Sequence, residues 1–208
     1  MQAHALMLAL AAATAAPAGA VAAERTIEID RTKATRPFDR SFDHSVGADF
    51  PGTTGRPDAL AQLKTARDEL GFRFLRFHAI FHDELRTVRK VDGQLVFDWT
   101  RIDALYDAML ARGIRPFVEL GFTPEALATS KQTIFHWKGN TSHPEPAGWA
   151  QLVEAFARHL IARYGAEEVR RWPFEVWNEP NLDGFWERAD QAAYFALYAN
   201  TAKTLKQV

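Results

Sequence analysis

The chain is constrained above all by an alternation of two hydrophobic periods. Short apolar runs occur at residues 41–47, 72–78, 116–120 and 174–177. Each is followed by a longer stretch with apolar residues at helical spacing. Residues 58–70 carry Leu60, Leu63 and Leu70 on one stripe, and Gly71 closes it. Ile102, Leu105 and Met109 mark a helix over 100–112 that stops at Gly113, with Thr100 to Asp103 written as a capping box. Residues 147–164 hold Trp149, Leu152, Val153, Phe156, Leu160, Ile161 and Tyr164, and this is the clearest helix. A last helix over 190–207 packs through Tyr194, Leu197, Tyr198, Thr201 and Leu205. Apolar strands separated by helices predict an α/β fold, a parallel sheet covered by helices.

The chemistry concentrates after the fourth run, in Trp177-Asn178-Glu179-Pro180-Asn181. Pro180 disfavours helical backbone at Glu179, which predicts an extended residue at the end of a buried strand. Burial beside an indole raises a carboxyl pKa, as a general acid near neutral pH requires. In a regular strand Asn178 and Glu179 point to opposite faces. If both serve one site, the strand must end or bulge between Val176 and Pro180. A turn carboxylate beside a turn-forming amide is the plainer alternative.

Arg76 and His78 share a strand parity, so they face one side. A buried Arg needs an anionic partner. Glu119, inside the third apolar run, is that partner or a second site carboxylate. Asp43, His44 and Asp49 lie near the end of the first run, in site or loop roles. The connection over 121–146 is long and carries Phe135, His136, Trp137 and Asn140. Its aromatic faces suit stacking on sugar rings, and packing of Trp137 on the rim is the competing role. Within residues 79–98, Asp92-Gly93 predicts a hairpin turn.

With 208 residues, 47% hydrophobic and a net charge of −1, the chain offers no electrostatic case for nucleic acid or anionic membrane. It has no Cys, which excludes thiol chemistry and thiolate metal sites. His78 and His82 are four apart but fall in a strand end and a loop, so they predict no metal pair. Residues 1–23 are nearly all small or apolar and read as a secretory leader cleaved near Ala22 or Ala23. That predicts a secreted or periplasmic protein. Residues 24–40 form a lead-in, with an exposed strand expected over 26–30.

Phe174-Glu175-Val176-Trp177-Asn178-Glu179-Pro180-Asn181-Leu182 resembles the acid/base strand of glycoside hydrolase family 39, which holds β-xylosidases and α-L-iduronidases. Gly121-Phe122-Thr123-Pro124, Trp137-Lys138-Gly139-Asn140, Arg163-Tyr164-Gly165, Trp172-Pro173 and Leu182-Asp183-Gly184-Phe185-Trp186 are similar to its β-xylosidase branch. The resemblance runs from about Phe42 to the last residue. It implies a (β/α)8 barrel whose site lies at the strand C-terminal ends. Residues 41–208 would supply four of its eight units, as the N-terminal part of a longer enzyme. It implies a retaining exo-glycosidase, most simply a β-xylosidase on xylo-oligosaccharides. Glu179 would be the acid/base. Asn178 and His78 would bind substrate, and Trp137 would shape the pocket. The family's nucleophile, a Glu after strand seven, has no counterpart in this chain. No cofactor or metal is implied. The alternatives are an α-L-iduronidase-like hydrolase and a non-catalytic carbohydrate-binding half barrel. Oligomeric state is not implied.

Overall fold

A computed structural model describes residues 26–33, 37 and 39–208. The leader expected over 1–23 lies outside them. The chain divides into two units, residues 1–38 and 39–208. In the first, the described residues 26–30 are exposed and form no strand. The expected alternation finds no partner strand among the described residues, and lone strands are not stable. A single 3-10 turn, Arg31–Lys33, follows, with the Thr32 amide donating to Asp30 Oδ1 at 2.9 Å.

The second unit runs β1 (Ser45–Gly47), α1 (Pro51–Thr54), α2 (Pro57–Leu70), β2 (Phe74–Phe77), β3 (Val88–Val91) and β4 (Gln94–Phe97). It continues with α3 (Thr100–Leu110), β5 (Arg115–Leu120), β6 (Thr133–Ile134), β7 (Gly139–Asn140), α4 (Pro146–Tyr164), α5 (Ala166–Val169), β8 (Phe174–Val176) and α6 (Gln191–Gln207). Strands β1, β2, β5 and β8 form a four-stranded sheet in that order. Every pairing in it is parallel. The four apolar runs are therefore the four sheet strands, joined by helical crossovers.

The core lies where α3 and α4 cover this sheet. Ile102, Tyr106 and Met109 of α3 are buried with Trp149, Leu152, Val153, Phe156 and Leu160 of α4. Each such side chain stabilises the fold by about 1.5–3 kcal/mol. Glu145 caps α4 by accepting from the amides of Ala147 and Gly148. Trp149 Nε1 donates to Thr201 Oγ1 at 2.8 Å and ties α4 to α6.

Local side-chain bonds explain several departures from the periodicity. Residues 41–43 form a 3-10 turn rather than strand, because Asp39 Oδ1 accepts the Ser41 amide. The capping box does not form. Asp98 Oδ1 accepts the Thr100 amide at 3.0 Å, so the helix starts on Thr100 with Trp99 at its cap. Leu70 and Tyr198 are half exposed, at 50% and 51%, and lie off the stripes assigned to them. The hairpin forms as expected: Asp92 and Gly93 both take left-handed φ, at 48° and 79°, between β3 and β4.

Candidate active site

Because the sheet is parallel, the residues that follow its strands gather at one edge. Asp49 follows β1, His78 follows β2, the 121–146 connection follows β5, and Asn178 and Glu179 follow β8. Just inside that edge sit three charged residues, one per strand. Glu119 of β5 and Glu175 of β8 are register partners, so their carboxylates project side by side. Arg76 of β2 lies across both.

Arg76 Nε donates to Glu175 Oε2 at 2.8 Å, and Nη2 donates to Glu175 Oε1 at 2.9 Å. This is a bidentate pair. Nη2 also donates to Asn178 Oδ1 at 2.8 Å and lies 2.7 Å from Glu119 Oε2. Burial alone would lower the Arg76 pKa. The Glu175 hydrogen bond and the charges of Glu119, Glu175 and Glu179 outweigh it and raise the guanidinium above its ordinary value. Glu119 is therefore the expected partner of Arg76, with a side chain 0% exposed. Glu175 is the residue the sequence reading missed. Its signal was a charged residue in the middle of a short apolar strand, which Arg76 and Glu119 share in their own strands.

Asn178 is buried, and Arg76 settles its orientation. A guanidinium only donates, so it takes the amide oxygen and leaves Nδ2, a donor, as the free end. Glu179 corrects one expectation. It is exposed, not buried. Its backbone is also not extended. The strand ends at Val176, and Trp177 and Glu179 both take left-handed φ, at 71° and 46°. Pro180 does keep Glu179 out of the right-handed helical region. A turn follows, closed by the Leu182 amide donating to the Glu179 carbonyl at 3.0 Å. This break is the interruption that the parity argument required.

Non-glycine residues hold such backbone only where their surroundings compel it. Here Trp177 is the anchor: it is buried, packs edge-on to Trp186 at 4.9 Å, and donates from Nε1 to the Phe185 carbonyl at 2.6 Å. Tyr194 of α6 donates to the Val176 carbonyl at 3.2 Å.

His78 Nδ1 lies 2.7 Å from Glu119 Oε2, and its ring stacks on Phe135 at 5.5 Å. His82 belongs to a different cluster. Its Nε2 donates to the Trp137 carbonyl and its Nδ1 accepts from the Glu84 amide, so both nitrogens are engaged. Asp43 pairs with Arg40 and His44 stacks on Phe74, so neither joins the site. Asp49 does join it: Oδ1 accepts from Trp137 Nε1 at 2.8 Å and Oδ2 from Thr53 Oγ1 at 3.0 Å.

Trp137 is 7% exposed and stacks against Phe50, Phe135 and Phe122. Its ring supports the rim of the site rather than facing a ligand, which favours the packing alternative. The aromatic that stays open beside His78 is Phe135, at 40%. Asn140 braces the same connection by donating to the Ser130 carbonyl and accepting from Ser142. A Cβ at Gly139 would fall 2.2 Å from Trp137 and 2.7 Å from Phe122. Gly139→Ala is expected to destabilise the protein by about 1–3 kcal/mol through overpacking. Urea denaturation checks this, and no measurable loss would show that the stack yields freely.

A sequence model of glycosyl hydrolases family 39 matches residues 25–208. A beta-xylosidase of Caldicellulosiruptor saccharolyticus is 47% identical over 165 residues, 78% of this chain and 34% of its own length. The crystal structure of a monomeric beta-xylosidase from Caulobacter crescentus CB15 superposes with a TM-score of 0.80 at 68% identity, over 82% of this chain and 35% of that one. An alpha-L-iduronidase of Homo sapiens is 31% identical over 195 residues, 87% of this chain and 28% of its own length. The chain thus spans about a third of the length of the relatives it matches. Its sheet, its Asn178-Glu179 strand end and these similarities agree: the chain belongs to glycosyl hydrolases family 39.

Proposed function

We propose that the protein is a retaining exo-glycosidase, a β-xylosidase acting on xylo-oligosaccharides. In this reading residues 41–208 form the N-terminal half of a (β/α)8 catalytic barrel, preceded by a lead-in over 24–40. The observation that carries the proposal is the Arg76-to-Asn178 bond, which aims an amide donor beside Glu179 at the end of β8. Glu179 protonates the leaving glycosidic oxygen and then deprotonates the incoming water. Asn178 Nδ2 donates to the sugar 2-hydroxyl, a bond that strengthens in the oxocarbenium-like transition state. His78 holds the sugar in the subsite where cleavage occurs, and Trp137 supports the aromatic rim around it.

The second carboxyl group of a retaining enzyme is its nucleophile. We assign that role to no residue of this chain. Glu119 is held by Arg76 and His78, and Asp183 accepts the Arg188 amide. Proton transfer and covalent attack by two carboxyl groups call for no cofactor or metal ion.

The comparisons favour the xylosidase over the iduronidase reading, at 47% against 31% identity. The deciding assay presents the whole protein with aryl β-xyloside and with aryl α-L-iduronide. The expected result is hydrolysis of the xyloside alone. Iduronide cleavage would transfer the reading to the iduronidases. Saturable xylo-oligosaccharide binding without turnover would make the protein a carbohydrate-binding relative.

Export belongs to the same proposal. Among the described residues no helix is long and apolar enough to cross a membrane. Protein recovered from periplasm or medium is expected to begin at Ala23 or Glu24 by N-terminal sequencing. An uncleaved Met1 on exported protein would overturn the leader assignment.

A further inference from the structure

We infer that Glu119 is a positioning residue that sets the tautomer of His78, so that His78 receives a hydrogen bond from a sugar hydroxyl rather than donating one. This rests on the reading of His78 as a substrate contact. The argument starts from what faces Nδ1. Glu119 Oε2 lies 2.7 Å away and Arg76 Nη1 lies 3.4 Å away. One ring nitrogen cannot donate to a carboxylate and accept from a guanidinium at once.

The shorter, charge-assisted contact decides. Both Nη2 protons of Arg76 already have acceptors, on Glu175 and Asn178, and its Nε donates to Glu175. The Glu119 carboxylate, by contrast, is fully buried. Its Oε1 accepts the Ala79 amide at 3.3 Å, which leaves Oε2 turned toward His78 and Arg76. A buried carboxylate oxygen without a proton donor is costly, so Nδ1 carries the proton. The neutral ring then has its acceptor lone pair on Nε2. No described residue hydrogen-bonds Nε2, and the side chain keeps 18% of its exposure between Phe122 and Phe135. The substrate group that fits there is a hydroxyl that donates.

The test reads the proton directly. Long-range 1H–15N spectra of the whole protein with 15N-labelled histidine, near neutral pH, distinguish protonated from unprotonated ring nitrogens. His78→Asn identifies the signals. The expected wild-type pattern is a protonated Nδ1 and an unprotonated Nε2. A proton on Nε2, or on both nitrogens, overturns the inference, and this reading needs no further variant to fold. In Glu119→Ala the Nδ1 preference is expected to disappear. The KM for xyloside is expected to rise about tenfold or more while kcat changes little, since the lost bond serves ground and transition states alike. An unchanged tautomer in Glu119→Ala, or a loss confined to kcat, would instead make Glu119 a structural partner of Arg76. The spectra do not depend on turnover. A protein inactive on xylosides therefore defeats the xylosidase reading without touching the tautomer result.

Discussion

Glu179→Gln is expected to lower kcat/KM on xylobiose by about 10²–10⁴-fold, the usual share of a positioned general acid. The loss on an aryl xyloside with an activated leaving group is expected to be much smaller for the first half-reaction. A phenolate of low pKa departs with little protonation, whereas a sugar alkoxide does not. The second half-reaction still needs a base to activate water. Azide, already anionic, needs none, so it should restore turnover on the activated substrate and yield a xylosyl azide. Glu179 is exposed and makes no ion pair within 4 Å among the described residues, so the substitution should leave stability within about 0.5 kcal/mol. The two signatures together separate a chemical role from a folding role. Equal losses on both substrates, with no azide rescue, would remove Glu179 from the acid/base position.

Arg76→Met is expected to be the most destabilising single change at the site. It removes the cation between two neighbouring carboxylates, one of them fully buried. Breaking a buried ion pair from one side costs about 3–5 kcal/mol, because the remaining charge is left uncompensated. Glu175 keeps 34% of its side-chain exposure and is partly relieved by water, so the greater share falls on Glu119. Urea denaturation of the whole protein measures the loss. Adding Glu119→Gln should recover part of the stability, since the two residues are coupled. Activity should not recover, because Asn178 has lost the donor that orients its amide. A loss below about 1 kcal/mol, or full additivity of the two substitutions, would show that Arg76 does not bridge the pair.

Much of the site was legible for a local reason. The Trp177-Asn178-Glu179-Pro180 run carries its own constraint: strand parity demands a break if Asn178 and Glu179 are to share one site, and the strand ends before Trp177. Arg76 and Glu119 announced a pairing because charge inside an apolar strand needs compensation. Other features were hidden because contacts between distant segments decide them. Trp137 and Phe135 are two residues apart in one loop, yet one is packed and the other open. Asp49, 88 residues before Trp137, makes that difference by taking its indole proton.

The sequence by itself determined the α/β alternation, the four parallel strands, the hairpin at Asp92-Gly93 and the family. Each of these is written in spacings of a few residues, where backbone geometry and side-chain period act directly. Only the tertiary structure decided which carboxylate holds Arg76 through two parallel hydrogen bonds. Glu175 stands 99 residues away and becomes a bidentate partner because β5 and β8 pair in one register rather than the next. It likewise decided that Glu179 stands exposed on a left-handed turn, since the packing of Trp177 and Trp186, not the local chain, sets that sign.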